Sequence, residues 1–202
     1  MRKLKESQLV IATHNFGKYE EISDLFSKFK IKVFSSSDYN LIEPKETENT
    51  FIGNARIKAH YTSKETGLPS LADDSGIEVK DLNNQPGVYT ADWAETKNGR
   101  DFDIAMKKVW LSLKEVNAKK PFYARFCCTL VLAWPDGHDE IFEGIMNGQI
   151  VWPRRGKNGH GFDPIFLPNG FKKTFGEIDR WEKNRISHRA IAFNKLITSC
   201  LS

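Results

Sequence analysis

The segment from residue 8 to residue 34 restricts the fold most. Residues 8–13 (QLVIAT) form a short apolar run with β-branched residues at its centre, which predicts a buried strand. Residues 14–18 make a turn containing Gly17. From 19 to 29, Ile22, Leu25, Phe26 and Phe29 recur at helical spacing, with Glu20, Glu21 and Asp24 early in the segment. Residues 31–34 predict a second strand. Strand, turn, helix and strand in this order is the opening of an α/β fold.

The remainder continues the alternation. Residues 41–50 are polar, carry Pro44 and read as a loop. Residues 51–65 predict a helix ended by Gly67, with Asn54 and Lys58 four apart on one face. Residues 70–74 and 77–82 read as two strands joined at Ser75-Gly76, and 83–87 (NNQPG) as a turn. Phe102, Ala105, Val109, Trp110, Leu113 and Val116 form a helical stripe. Residues 122–134 and 140–152 predict two long strands of a hairpin about the PDG at 135–137. Residues 154–161 form a glycine-rich basic loop, and 164–167 a short strand. A final helix starts at Ser187, a good N-cap, and runs through Ala190, Ile191, Asn194 and Ile197.

Composition excludes several classes. With 202 residues, the chain reads as one domain, at most two closely packed lobes. The net charge of +4, from 30 basic and 26 acidic residues, suits an anionic ligand as well as an ordinary solvated surface. The basic residues are scattered, which argues against a nucleic-acid partner. Cys127, Cys128 and Cys200 are odd in number and lack a CxxC, so neither a disulfide framework nor a zinc site is expected, and a reducing cytoplasm is the natural setting. The apolar run near the N-terminus is too short for a signal peptide, and no stretch is long enough to span a membrane.

Five places carry chemistry. Thr13, His14, Asn15, Phe16, Gly17 and Lys18 lie where a strand turns into a helix, a place that favours anions; alone they read as readily as an ordinary turn. Asp73 and Asp74 end an apolar strand and face opposite sides, which gives them different tasks: one to hold a hard cation or activate water, the other to brace the turn. An acidic hairpin turn is the plain alternative. In Gly159-His160-Gly161-Phe162-Asp163-Pro164, the glycines allow close backbone approach, and His160 and Phe162 offer aromatic faces to a base. Lys183, with Ser187-His188-Arg189, places cations in the first turn of a helix, against its dipole, where an anion or a purine carbonyl would be welcome. Glu46 with Asn54 and Lys58 forms a looser set, in which Glu46 could complete a metal site and Lys58 could reach a phosphate; solvent exposure is the plain alternative.

The order of these elements carries more than any one of them. AT-H-N-F-GK at 12–18, F-x-x-NA-x-x-KA at 51–59, ADDSGIEV at 72–79, PGVYTADWAE at 86–95, GHGFDPIF at 159–166 and EKNRISHRA at 182–190 together closely resemble the inosine/xanthosine triphosphate pyrophosphatases. The resemblance implies a long mixed central β-sheet flanked by helices, in two lobes with an active-site cleft between them, and one pyrophosphatase domain over 1–202. It implies hydrolysis of ITP, dITP and XTP or dXTP to monophosphate and pyrophosphate, with Mg²⁺, in a cytoplasmic homodimer. By the same resemblance, Asp74 is the catalytic and metal-linked aspartate and Glu46 the second metal ligand. Residues 13–18 hold the triphosphate with Lys58, Ser75 contacts the nucleotide, and His160, Gly161, Phe162, Asp163, Lys183, His188 and Arg189 bind the base. His160 stands where an aromatic residue is usual. Glu48 replaces a common glycine, Gly53 a common glutamate, and Asp92 a frequent arginine.

The implied chemistry is substitution at the α-phosphorus, with Asp74 ligating the cation or taking a proton from the attacking water. Donors such as Arg189 and Lys183 would pair with a purine 6-carbonyl and oppose the amino group of adenine. Two other readings stand beside it: a Maf-like pyrophosphatase for pyrimidine or modified nucleotides, and a non-catalytic nucleotide- or RNA-binding module.

Overall fold

A computed structural model describes residues 1–201. Its elements in chain order are β1 (Gln8–Ile11), α1 (Phe16–Phe26), β2 (Lys32–Ser35), α2 (Phe51–Thr66), β3 (Ser70–Val79), β4 (Gln85–Pro86), β5 (Glu95–Thr96) and β6 (Gly99–Arg100). There follow α3 (Phe102–Glu115), β7 (Phe122–Ala133), β8 (Asp139–Ile150), β9 (Phe166–Pro168), α4 (Arg180–Ile186) and α5 (His188–Leu196), which ends in a π-helical turn, Ile197–Leu201. The fold is mixed α/β. A seven-stranded sheet runs β2-β1-β3-β7-β8-β9 with β4 paired to β3; β1 is parallel to β2 and β3, while β3–β4 and β8–β9 are antiparallel.

The chain forms two compact units. Of the described residues, the first comprises 1–74, 128–144 and 189–201; the second comprises 75–127 and 145–188. The first unit buries Leu9, Ile11, Ile22, Phe26, Leu71, Leu130, Leu132, Trp134 and Phe193 in one cluster, and a small alanine-rich cluster of Ala12, Ala55, Ala59, Ala72 and Ala133 in another. Small residues there let α2 lie close to the strands. The second unit buries Ile77, Val79, Val109, Phe126, Phe162, Ile165, Phe166 and Phe175.

The largest departure from the sequence reading lies at Ser75-Gly76. The two strands expected at 70–74 and 77–82 are one, β3, and the acidic pair sits in its middle rather than in a hairpin turn. β3 lies between β1 and β7, and Leu71, Ala72, Ile77 and Val79 are all fully buried. Burial on a central strand outweighs the turn preference of Asp, Ser and Gly. The chain turns later, where Asn83 and Asn84 both take left-handed conformations.

Smaller shifts have local causes. α1 begins at Phe16, so Gly17 and Lys18 lie in the helix rather than in a turn, because the Asn15 side chain caps it by accepting from the Lys18 N–H. The strand placed at 164–167 is β9, two residues later; residues 163–165 form a 3₁₀ turn with Pro164 at its start. The final helix is preceded by an unforeseen one, α4, whose N-cap Asp179 accepts from the Glu182 N–H. Asp179 and Glu182 have capping-box spacing, the signal that could have revealed it. Ser187 ends α4, and α5 starts at His188.

The basic loop at 154–161 is pinned to residues 174–178. Asn158 N–H donates to the Gly176 carbonyl, its side chain to the Ile178 carbonyl, and Thr174 Oγ1 to the Arg155 carbonyl. Gly156 has φ +80°, and a Cβ there would overlap the backbone of Gly176 and Glu177. Gly156→Ala is therefore expected to cost about 2–5 kcal/mol, from left-handed strain plus backbone displacement. Gly137→Ala at φ +88°, with nothing within 4 Å of the added atom, should cost only about 1–2 kcal/mol. Thermal denaturation of the two variants measures the contrast, and equal melting temperatures would refute the packing argument.

Candidate active site

The first unit gathers its charged residues on α1, β3, α2, α5 and the loop before α2. Neighbouring side chains on a strand face opposite ways, and Asp73 and Asp74 accordingly meet different partners. Asp73 is fully buried: Arg189 Nη2 donates to its Oδ2 at 2.8 Å, and Lys18 Nζ lies 3.0 Å from its Oδ1. Arg189 Nη1 also donates to Glu21, a buried residue of α1. Asp74 Oδ1 lies 3.3 Å from Lys58 Nζ, which donates to Glu46 Oε1 at 2.6 Å. Asp74 Oδ2 is buried and makes no hydrogen bond.

The protonation preferences follow from these contacts. Burial pushes the Asp73 carboxyl up, but Lys18, Arg189 and Lys58 outweigh it and hold the group well below the usual carboxylate range. Asp74 goes the other way. Burial raises it, Lys58 and Lys18 pull it down, Glu46 and Asp73 push it up again, and the net shift is upward. Burial disfavours the charged form of Lys58, yet Asp74 and Glu46 keep it charged and raise its pKa. Cys128, whose Sγ is 4.0 Å from Asp73 Oδ2, has its thiol pushed up by burial and is a poor nucleophile.

The turn from β1 into α1 is built from its own polar groups. Thr13 Oγ1 accepts from the Asn15 N–H at 3.2 Å, and Asn15 Oδ1 accepts from the Lys18 N–H at 3.1 Å. Ser36 Oγ donates to the Thr13 carbonyl, and His14 Nε2 is 2.8 Å from the Leu41 carbonyl, the first residue of the loop that carries Glu46. Phe16 is exposed. The same loop is tied to α2 by the Glu48 N–H, which donates to Asn54 Oδ1 at 2.9 Å. A Cβ on Gly53 would lie 2.5 Å from Glu48 Cβ, so the two departures from the family pattern at 48 and 53 share one space.

In the second unit, Asp163 organises the glycine-rich loop. Its Oδ2 accepts from the His160 N–H at 2.8 Å and from Lys183 Nζ at 2.7 Å, and all three residues lie in the expected base-binding motifs. Gly159, at φ +71°, has no room for a Cβ, which would overlap the Asp163 carboxylate. Gly161 lies near the ring of Phe102. The His188 ring stacks on Phe126, with centroids 4.8 Å apart and planes 9° from parallel. Ser75, the first residue of this unit, is half-buried on β3.

Two residues expected to face the base do not. Phe162 is 1% exposed, within the core, edge-on to Phe102 at 5.9 Å, so it cannot stack on a ligand. The Arg189 guanidinium is buried between Glu21 and Asp73. The anion that a cation in the first turn of α5 calls for is thus supplied by the protein's own carboxylates. Glu21 was visible in the sequence only as an acid early in α1. Its position one turn after Lys18 puts both on one helix face, but nothing local named Arg189 as its partner.

These motifs and this sheet can be set beside known proteins. The model of the Ham1 family matches residues 9–199. The chain is 58% identical to the dITP/XTP pyrophosphatase of Ruegeria pomeroyi, covering 95% of this chain and 94% of that one, and 49% identical to the dITP/XTP pyrophosphatase of Agrobacterium fabrum, covering 100% and 99%. The structure of a HAM1 protein from Coxiella burnetii superposes with a TM-score of 0.87 at 35% identity, over 96% of this chain and 98% of that one.

The chain belongs to the Ham1 family. The fit of a divalent cation to this Ham1 chain rests on its donors. Glu46 and Asp74 are hard oxygen ligands converging on one ammonium, and Asp74 keeps a buried oxygen without a donor. Among the described residues no group of three or more His, Cys, Asp or Glu is gathered for a metal. Two carboxylates suit Mg²⁺, which retains water and binds substrate phosphates rather than sitting in an all-protein cage.

Arg189→Met takes the guanidinium away from two buried carboxylates and is expected to cost about 3–5 kcal/mol at neutral pH. Because the folded-state pKa of Asp73 is depressed, its stabilisation is complete above its unfolded value and lost as pH falls through the folded one. The gap between wild type and variant should therefore narrow below about pH 4. Urea unfolding at pH 7 and in acid tests this; a gap independent of pH would contradict it.

Proposed function

We propose that this chain is a house-cleaning nucleoside triphosphate pyrophosphatase. It hydrolyses deaminated purine nucleotides (ITP, dITP and XTP or dXTP) to the monophosphate and pyrophosphate. The observation that carries the reading is the Glu46–Lys58–Asp74 cluster beside the Lys18–Asp73 pair at the start of α1. It combines oxygen donors for a hard cation with two ammonium groups for phosphate oxygens. The Ruegeria and Agrobacterium relatives, both dITP/XTP pyrophosphatases by name, support the substrate class. Mg²⁺ dependence, a homodimer, a cytoplasmic setting and a single functional domain belong to the same proposal.

Asp74 and Glu46 would hold Mg²⁺, which when bound neutralises charge on the phosphate oxygens and the leaving pyrophosphate. Lys18 and the residues at 13–17 bind the triphosphate, using the positive end of α1. Lys58 offsets phosphate charge. Asp74 either ligates the cation directly or, through its buried donor-free Oδ2, accepts the proton of the attacking water. Ser75, His160, Gly161, Asp163, Lys183 and His188 bind and orient the base. Asp163 does so by fixing the His160 backbone and the Lys183 ammonium, the donor that pairs with a 6-carbonyl and opposes a 6-amino group. Phe162 and Arg189 act from within the packing, Phe162 by supporting the loop and Arg189 by holding Asp73.

Pyrophosphate release measured with Mg²⁺ over a panel of ITP, dITP, XTP, ATP, GTP and pyrimidine triphosphates tests the reading. The deaminated purines should exceed ATP and GTP in kcat/KM, and Asp74→Asn should lower kcat by about 10²-fold or more. Equal kcat/KM for ATP and ITP, or near-normal turnover by Asp74→Asn, would overturn it. A preference for pyrimidine nucleotides would point instead to a Maf-like activity. Gly159→Ala displaces the Asp163 carboxylate, and it should raise KM for ITP more than it lowers kcat. A change confined to kcat would show that the loop does not govern base binding.

A further inference from the structure

Lys58 occupies an unusual place for a phosphate-binding lysine. It lies within α2, 5% exposed, with its ammonium on both carboxylates assigned to the cation. The charge arrangement leaves it no substitute. The cluster holds four carboxylates (Glu21, Glu46, Asp73 and Asp74) and three cations (Lys18, Lys58 and Arg189). Arg189 serves Glu21 and Asp73, and Lys18 pairs with Asp73 and acts on Asp74 from farther off, so among the described residues Lys58 is the cation in direct contact with both Asp74 and Glu46. The uncompensated negative charge therefore falls on the cation-binding side.

We propose that Lys58 is a displaceable internal counter-ion, which holds the Glu46–Asp74 pair in the free protein, competes with the divalent cation for it, and passes to the triphosphate when the cation binds. The inference rests on the reading of Glu46 and Asp74 as cation ligands. Three features favour exchange over a permanent ion pair. Glu46 lies on a segment without regular structure, with its side chain 38% exposed, which leaves the cluster open to solvent at that end. A compact ammonium on a four-carbon stem can exchange one oxygen partner for another, whereas a planar guanidinium fork could not. A divalent ion would balance Asp74 and Glu46 fully, but it would leave the displaced ammonium buried without an anion. The exchange is favourable only when a phosphate receives that ammonium. Cation alone thus binds weakly, and cation with triphosphate binds as a unit.

The test uses Mn²⁺ alone as the probe, without nucleotide, read by electron paramagnetic resonance. Lys58→Met should bind Mn²⁺ at least about tenfold more tightly than wild type, since a competing charge is gone, although it turns over ITP poorly. A second measurement needs no variant. Saturating Mn²⁺ should speed acylation of Lys58 in the wild-type protein, followed by mass spectrometry, because the ammonium is then driven off both carboxylates toward the solvent-open Glu46 end. Mn²⁺ affinity unchanged or weakened in Lys58→Met, or acylation of Lys58 unaltered by Mn²⁺, would overturn the counter-ion role. If Mn²⁺ binding survives both Asp74→Asn and Glu46→Gln, the ligand assignment itself fails, a result distinct from failure of the exchange.

Discussion

The Arg189 guanidinium, buried against Glu21 and Asp73, is the constraint on which the first unit's chemistry rests. It ties the first turn of α5 to α1 and to the middle of β3. An isolated buried carboxylate would shed its charge, and the proton would change what Lys18 and Asp74 meet. With Arg189 in place, Asp73 stays ionised and holds Lys18 near the turn from β1 into α1. The carboxylate beside it is then free to be different.

That difference arises from a one-residue step along a strand. Asp73 is surrounded by cations and has its proton affinity driven down. Asp74, on the other face, has one shared ammonium, a donor-free oxygen and a proton affinity driven up. Two groups of identical chemistry are thus separated by position alone into one whose proton affinity is driven down and one whose proton affinity is driven up. Such divergence between neighbouring titratable groups marks acid–base chemistry.

The alternation of elements was legible because burial and helical periodicity leave local traces: β1, α1, α2, α3 and the two long strands β7 and β8 all lie close to where the pattern puts them. β3 was misread because its centre carries Asp-Asp-Ser-Gly, whose turn preference is local while the burial that overrides it comes from neighbouring strands. The motifs that bear the proposed site are legible as well. What they touch is not, because the partners are far apart in sequence. Asp73 of one motif meets Arg189 of another, Asp74 meets Lys58, and Asp163 meets Lys183. Arg189 and Phe162 looked like ligand contacts because an exposed cation and an exposed ring have the same letters as buried ones.

These pairings also bear on how readily the side chains accept a ligand. Lys58 and Lys183 are each buried and held by carboxylates in one orientation. For Lys183, if it binds the base as proposed, the loss of rotamer freedom that a flexible surface lysine suffers on binding has therefore been met during folding, whereas Lys58 would have to change partners. The cost appears as sensitivity of the fold to these positions. Removing either ammonium leaves a buried carboxylate unpaired, so a loss of activity at Lys58 or Lys183 reports on the ligand only where the stability of the variant is measured beside it. Conservative exchange to arginine does not escape this, because a planar fork cannot take the position of a compact ammonium shared by two carboxylates.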